Sequence, residues 1–127
     1  MMESKLKMDF IPLFIPDINE EGIAAVGAVL RSGMLVQGKH VLALENSFIE
    51  NTGATFAKAV SNGTATLHLM LKSAGIGPGD EVILPAFSYI ATANVVELVG
   101  ATPVFVDIDM ETFNIDVTKI QEKINSR

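Results

Sequence analysis

The sequence predicts an α/β fold in which helices cover a layered sheet of mostly parallel strands. Three observations carry that expectation. From Phe56 onward, short apolar runs of strand length alternate with stretches of helical character. The run Val104-Phe105-Val106-Asp107 shows no polar alternation, as expected of a strand covered on both faces. Glycine and proline stand at the junctions, in Gly75-Ile76-Gly77-Pro78-Gly79-Asp80 and Gly100-Ala101-Thr102-Pro103, where the chain must turn between elements.

The elements follow in order. Phe10-Ile11-Pro12-Leu13-Phe14-Ile15-Pro16 reads as an extended opening, because each proline pushes the residue before it towards β or polyproline geometry. A helix is expected over Glu20 to Arg31, capped by Asp17 or Asn19, with Glu20 and Glu21 placed well in its first turn. Its apolar stripe is Ile23, Val26, Val29 and Leu30, and Ser32-Gly33 ends it. A loop with Gln37-Gly38 leads to a second helix over Val41 to Asn51, stopped near Gly53. Phe56 to Ser61 reads as a first strand running into Asn62-Gly63-Thr64-Ala65. Helical character spans Thr66 to Ala74, with Leu67, Met70 and Leu71 on one side. Glu81 to Leu84 is a second strand, Ser88 to Val99 a third helical stretch, and Val104 to Asp107 a third strand. A last helix runs from Val117 to Asn125 behind Asp116 or Thr118. The organisation expected is one domain with two parts, residues 1–55 and residues 56–127.

Composition narrows the function. In 127 residues, 49% are apolar, enough for a core. Nine basic residues face fifteen acidic ones, a formal charge of −6 without any Lys/Arg cluster, so a nucleic-acid partner is not expected. There is no cysteine, hence neither disulfide nor thiolate metal site, and His40 and His68 lack the companions of a zinc motif. Asp9 and Pro12 interrupt the sequence after Lys5 and Lys7, which argues against a signal core, and no apolar run reaches membrane-spanning length. A soluble cytoplasmic protein without a membrane partner is the expectation.

Two places can hold chemistry. At Val60-Ser61-Asn62-Gly63-Thr64-Ala65 a strand ends in a small-residue turn and opens a helix. Free amides at the positive end of the helix dipole suit a phosphate there. The competing reading is that Asn62 or Thr64 simply caps the helix. The second place is Pro85-Ala86-Phe87-Ser88-Tyr89, past the carboxyl end of a strand, where parallel sheets bind ligands. Tyr89, the sole tyrosine, and Phe87 can offer a ring face to a flat cofactor or simply belong to the core. Gly75-Ile76-Gly77-Pro78-Gly79 precedes a strand instead of following one, and Pro78 has no amide to donate, so it is a turn. Asp107 and Asp109 are expected in caps or turns, His68 on a helix surface or in packing, and Lys58 and Lys72 are poor candidates for a Schiff base.

Several segments together resemble one family. They are Ile11-Pro12-Leu13, Leu30-Arg31-Ser32-Gly33, Val36-Gln37-Gly38 with Val41 and Leu44-Glu45, and Ser61-Asn62-Gly63-Thr64-Ala65 with Leu67 and Leu69. Gly75 through Ile83, Pro85 through Asn94, and Gly100 through Asp109 follow in the same order. The chain resembles the N-terminal part of the DegT/DnrJ/EryC1/StrS sugar aminotransferases, pyridoxal-phosphate enzymes of fold type I. The resemblance implies a three-layer α/β/α large domain of which these residues form an incomplete N-terminal segment. It also implies that Gly63, Thr64 and Ala65 hold the cofactor phosphate, and that Tyr89 stacks on the pyridine ring while Phe87 packs beside it. The implied reaction moves an amino group from an amino acid, glutamate by family habit, to a keto group on a nucleotide-linked sugar for polysaccharide or antibiotic biosynthesis. A dehydratase of the same family, with histidine for the reactive lysine, and a non-catalytic α/β binding module are the other readings. By the same resemblance the Schiff-base lysine falls beyond Arg127, so the chain would be a shortened, inactive piece with no catalytic residue or metal of its own. Strands from later in such enzymes lie beside the first strand, so an exposed edge near Val60 and a homodimer are expected.

Overall fold

The computed structural model describes residues 11–125, so the expectations resting on Lys5, Lys7, Asp9 and Phe10 lie outside the described residues. The chain divides into two compact units, residues 1–57 and residues 58–127.

In the first unit, residues 11–19 form no helix or strand. Helix α1 spans Glu20–Ser32. Asn19, extended at φ −98°, caps it by accepting the Gly22 N–H at 2.8 Å, and Glu20 and Glu21 lie in the first turn. Gly33 ends it at φ 70°. The expected apolar stripe forms, yet Ile23, Val26 and Leu30 all stay more than half exposed. Helix α2 spans Lys39–Thr52 and stops at Gly53, also left-handed.

The second unit differs from expectation at its start. No strand forms over Phe56 to Ser61; the described residues contain one two-stranded sheet, and this segment does not join it. Strand propensity is realised only where a neighbour completes the ladder, and the sheet ends before reaching this segment. Helix α3 then spans Gly63–Ser73, beginning earlier than the apolar pattern suggested because Asn62 caps it. Strand β1, Glu81–Pro85, follows a turn in which Asp80 accepts the Gly77 N–H at 2.8 Å. Helix α4, Ala91–Leu98, starts three residues later than read from the sequence, since Phe87 to Tyr89 form an irregular loop. Gly100 turns the chain at φ 86°, and a Cβ on it would meet Pro78 Cγ at 3.0 Å, so only glycine suits both the conformation and the contact.

Strand β2, Thr102–Val106, pairs in parallel with β1 from Glu81↔Thr102 to Pro85↔Val106. The right-handed crossover rule for parallel pairs puts a helix against the sheet, and α4 fills that place. Leu84, Val96, Val99 and Ala101 are the buried centre, with Leu71, Ile76, Val82 and Ala93 packed around them. The α/β class with a parallel sheet is thus as read from the sequence. The expectation that β2 is covered on both faces is corrected: Val106 is buried, but Phe105 remains 51% exposed. Only one helix crosses between the strands; Leu84 joins the core cluster with it, whereas Phe105, its neighbour in register, does not. After β2, Ile108 and Ile115 form an antiparallel bridge around a short turn. Asp116 then caps helix α5, Val117–Ile120, which tightens into a 3-10 turn, Gln121–Lys123, and does not continue as α-helix to Asn125. No helix among the described residues is long and apolar enough to cross a membrane.

Candidate cofactor site

Asn62 sets the geometry at the start of α3. Its extended backbone (φ −170°) places its side-chain oxygen 2.9 Å from the Ala65 N–H, while its carbonyl accepts from Thr66 N at 3.1 Å. The capping reading of this turn is therefore correct, and the cap satisfies the third amide of the helix. The first two amides, on Gly63 and Thr64, have no intrahelical partner by the geometry of any α-helix. No acceptor for them occurs among the described residues. The cap and the two free amides therefore lie side by side on different residues of the same helix start. A Cβ on Gly63 would meet nothing within 4 Å, so a ligand can approach this backbone without displacing protein atoms.

Tyr89 reaches the same place from the other element. The Ala86 N–H bonds to the Val106 carbonyl at 2.8 Å, extending the sheet by one residue before the chain turns away. Thr92 N bonds back to the Tyr89 carbonyl at 2.9 Å, and the Ser88 and Thr92 hydroxyls share a 2.8 Å hydrogen bond at the start of α4. Because α3 packs on α4, their amino ends lie side by side. Gly63, Thr64, Thr66, Leu67, Tyr89, Ala91 and Thr92 line one open groove of about 560 Å³. The groove has no charged side chain in its lining, so its favourable field for an anion comes from the α3 amides.

Of the four residues expected at a cofactor, Gly63, Thr64 and Tyr89 share this groove, whereas Ala65 does not line it and its amide is taken by Asn62. Tyr89 is 79% exposed, so its ring is available. Phe87 lies outside the groove and packs on Phe113. Thr66 and Thr92, not among the expected site residues, supply hydroxyl groups to the lining; for the latter the one signal in the sequence is its spacing of one helical turn from Ser88. Lys58 and Lys72 do not line the groove. His68 is half-buried on α3 outside it, His40 is exposed, and no metal-holding group of His, Cys, Asp or Glu occurs among the described residues.

Asp107 and Asp109 take the turn roles expected of them. Asp107 accepts the Ile108 N–H at 2.9 Å and meets Lys119 Nζ at 3.3 Å; Lys119 also lies 3.4 Å from Asp116. Asp109 accepts from Thr112 N at 2.8 Å and Glu111 N at 3.1 Å, and Asp116 from Thr118 Oγ1 and N. The bond from Ile108 N holds the Asp107 carboxyl below the ordinary range, with Lys119 adding to it; bonds from Thr112 do the same for Asp109, and those from Thr118 for Asp116. The Asp107 carboxylate in turn raises Lys119. A depressed carboxyl stabilises the fold fully above its unfolded pKa and loses that contribution as pH falls through its folded one. On acidification, the amide NMR signals of Ile108, Thr112 and Thr118 are therefore expected to shift with midpoints below the usual Asp range. Midpoints at or above that range would show that these bonds do not hold in solution.

The sequence profile of the DegT/DnrJ/EryC1/StrS aminotransferase family matches residues 16–127. A UDP-4-amino-4-deoxy-L-arabinose–oxoglutarate aminotransferase of Shewanella sediminis is 45% identical over 119 residues, covering 94% of this chain and 31% of that protein. The pyridoxal-phosphate form of a protein assigned as a sugar aminotransferase from Streptococcus pneumoniae superposes with a TM-score of 0.83 at 40% identity, over 91% of this chain and 29% of that one. A DegT/DnrJ/EryC1/StrS aminotransferase from Brucella abortus gives a TM-score of 0.74 at 40% identity, over 78% and 26%. The chain thus spans less than a third of the length of these relatives. A profile that covers both helices of the first unit and the whole groove of the second places the chain in the DegT/DnrJ/EryC1/StrS aminotransferase family.

Proposed function

We propose that this chain forms the phosphate- and ring-binding part of a pyridoxal-phosphate aminotransferase that moves an amino group from glutamate to a nucleotide-linked keto-sugar. The observation that carries the proposal is the single groove shared by the two free amides of α3 and the ring of Tyr89. The residues present fit the cofactor. Gly63 and Thr64 offer backbone N–H groups to a phosphate dianion at the positive end of a helix, and the Thr64 hydroxyl can add a third bond. Ala65 contributes through the helix it continues, not through its amide, which Asn62 holds. Tyr89 offers an aromatic face to a flat ring, and Leu67 and Ala91 keep water from the apolar side of the groove. When bound, pyridoxal phosphate supplies the electron sink that amino-group transfer requires. No lysine lines the groove, so these residues bind and orient, while transfer needs a lysine from outside them.

The Shewanella relative's name supports the substrate class, since it joins a UDP-linked amino sugar to oxoglutarate, the keto partner of glutamate. The same reading makes residues 1–127 an incomplete segment of the enzyme's large domain, working in the cytoplasm as a homodimer. The open edges of the two-stranded sheet support association.

The chain carries its own probe. Tyr89 is its one tyrosine and it has no tryptophan, so near-ultraviolet emission reports on this groove alone. Titration of the 127-residue protein with pyridoxal phosphate should quench that emission saturably, after correction for absorption with free tyrosine. Inorganic phosphate should compete, and pyridoxal without its phosphate should bind at least about tenfold more weakly, the value of one charge-assisted hydrogen bond. Quenching that never saturates, or that ignores the phosphate group, would refute the assignment.

A further inference from the structure

The loop that carries Tyr89 is touched by a residue the groove does not contain. Between Ile108 and Ile115 the chain reverses through Asp109-Met110-Glu111-Thr112-Phe113-Asn114. Phe113 N donates to the Asp109 carbonyl and Asp109 N to the Asn114 carbonyl, each at 2.9 Å, and Asp109 Oδ1 takes the Glu111 and Thr112 amides. This closure puts Phe113 at φ 58°, where it is the one non-glycine residue with positive φ among the described residues. The left-handed region suits glycine or asparagine and is costly for a bulky side chain. Such strain persists when something in the surroundings compensates for it.

At Phe113 the surroundings offer one ring contact. The Phe113 ring lies 6.2 Å from that of Phe87, centroid to centroid, tilted by 50°. That is the distance and angle range in which aromatic pairs attract. Phe87 stands in the irregular loop two residues before Tyr89. The loop is tied at Ala86 by the bond to Val106 and again where Thr92 bonds back to Tyr89. Between these ties no backbone hydrogen bond is donated by Phe87 or Ser88 among the described residues, and the ring pair spans that gap.

We infer that Phe113 is a positioning residue for the Tyr89 loop: its strained turn presents a ring that clamps Phe87 and so sets where Tyr89 stands in the groove. The effect on the loop stands by itself, and only the effect on cofactor affinity rests on the function proposed above.

Two substitutions separate the ring from the turn. Asparagine and histidine both tolerate positive φ, but only histidine keeps an aromatic ring. In Phe113→Asn, the fast local component of the Tyr89 fluorescence anisotropy decay should grow while thermal unfolding stays close to wild type. Pyridoxal phosphate should bind about threefold to tenfold more weakly, the range for losing one aromatic pair. Phe113→His, measured at about pH 8 where imidazole is neutral, should restore both readings. The inference is overturned if Phe113→Asn leaves Tyr89 motion at the wild-type level, or if histidine fails with asparagine. Should the wild-type chain not bind the cofactor at all, the function proposed above fails, and the anisotropy comparison still decides the role of Phe113.

Discussion

Replacing Gly63 with aspartate is expected to stabilise the fold and abolish pyridoxal-phosphate binding in the same protein. Gly63 is the first residue of α3, its φ is not in the left-handed region, and a Cβ there meets open space. Aspartate therefore enters without a clash. In the first turn its carboxylate interacts well with the helix dipole, a gain of about 0.3–1 kcal/mol at low salt. The lower backbone entropy of a non-glycine residue in the unfolded chain acts in the same direction. For the cofactor the effect reverses. The carboxylate competes for the amides of Gly63 and Thr64 and repels a phosphate dianion at the place where two charge-assisted hydrogen bonds would form. Losing those bonds costs about 3–6 kcal/mol, so affinity should fall by at least about a hundredfold. Thermal unfolding and Tyr89 quenching, measured on one preparation, give the two signs. A mutant that is more stable and still binds normally would show that the phosphate does not sit on α3.

The largest expected effect on folding belongs to Leu84→Ala. Leu84 is 3% exposed, at the centre of the small cluster it forms with Val96, Val99 and Ala101. Truncation removes buried methyl groups and leaves a cavity that the paired strands cannot easily close, at a cost of about 2–4 kcal/mol. Small domains fold with a margin of about 5–15 kcal/mol, and a core of this size lies at the low end. The urea midpoint should therefore drop sharply. Phe105→Ala, on the neighbouring strand but 51% exposed, should cost less than about 1 kcal/mol. Equal losses at the two positions would mean that Phe105 is covered in solution by something outside these residues. Because the Tyr89 loop begins just after Leu84, the groove should lose its cofactor response before global unfolding is complete.

How far the molecule is legible in its sequence depends on how local each feature is. Asn19 and Asn62 as caps, Gly33 and Gly53 as stops, and the tight turn at Gly100 are decided by residues within one helical turn of each other, and all occur where the residue types place them. The α3 start lies three residues before the one the apolar pattern predicts, because apolar periodicity begins after the cap does. The strand expected over Phe56 to Ser61 has the right residues but no place in the ladder, which no local pattern can supply. Phe113 is not legible in the sequence: a phenylalanine in a polar turn carries no sign that its backbone is left-handed, and its partner Phe87 is far away in the chain.

The sequence by itself determined the α/β class with a parallel sheet, the capping residues Asn19 and Asn62 with the stops at Gly33 and Gly53, and the family, through ordered motifs spread along most of the chain. Only the tertiary structure decided that Gly63 and Thr64 meet Tyr89 on one groove, that Ala65 spends its amide on Asn62, and that the Phe113 ring meets that of Phe87. The physical reason is range. Caps and turns are settled by hydrogen bonds between near neighbours, whereas the groove exists only once α3 packs on α4 and brings distant segments together.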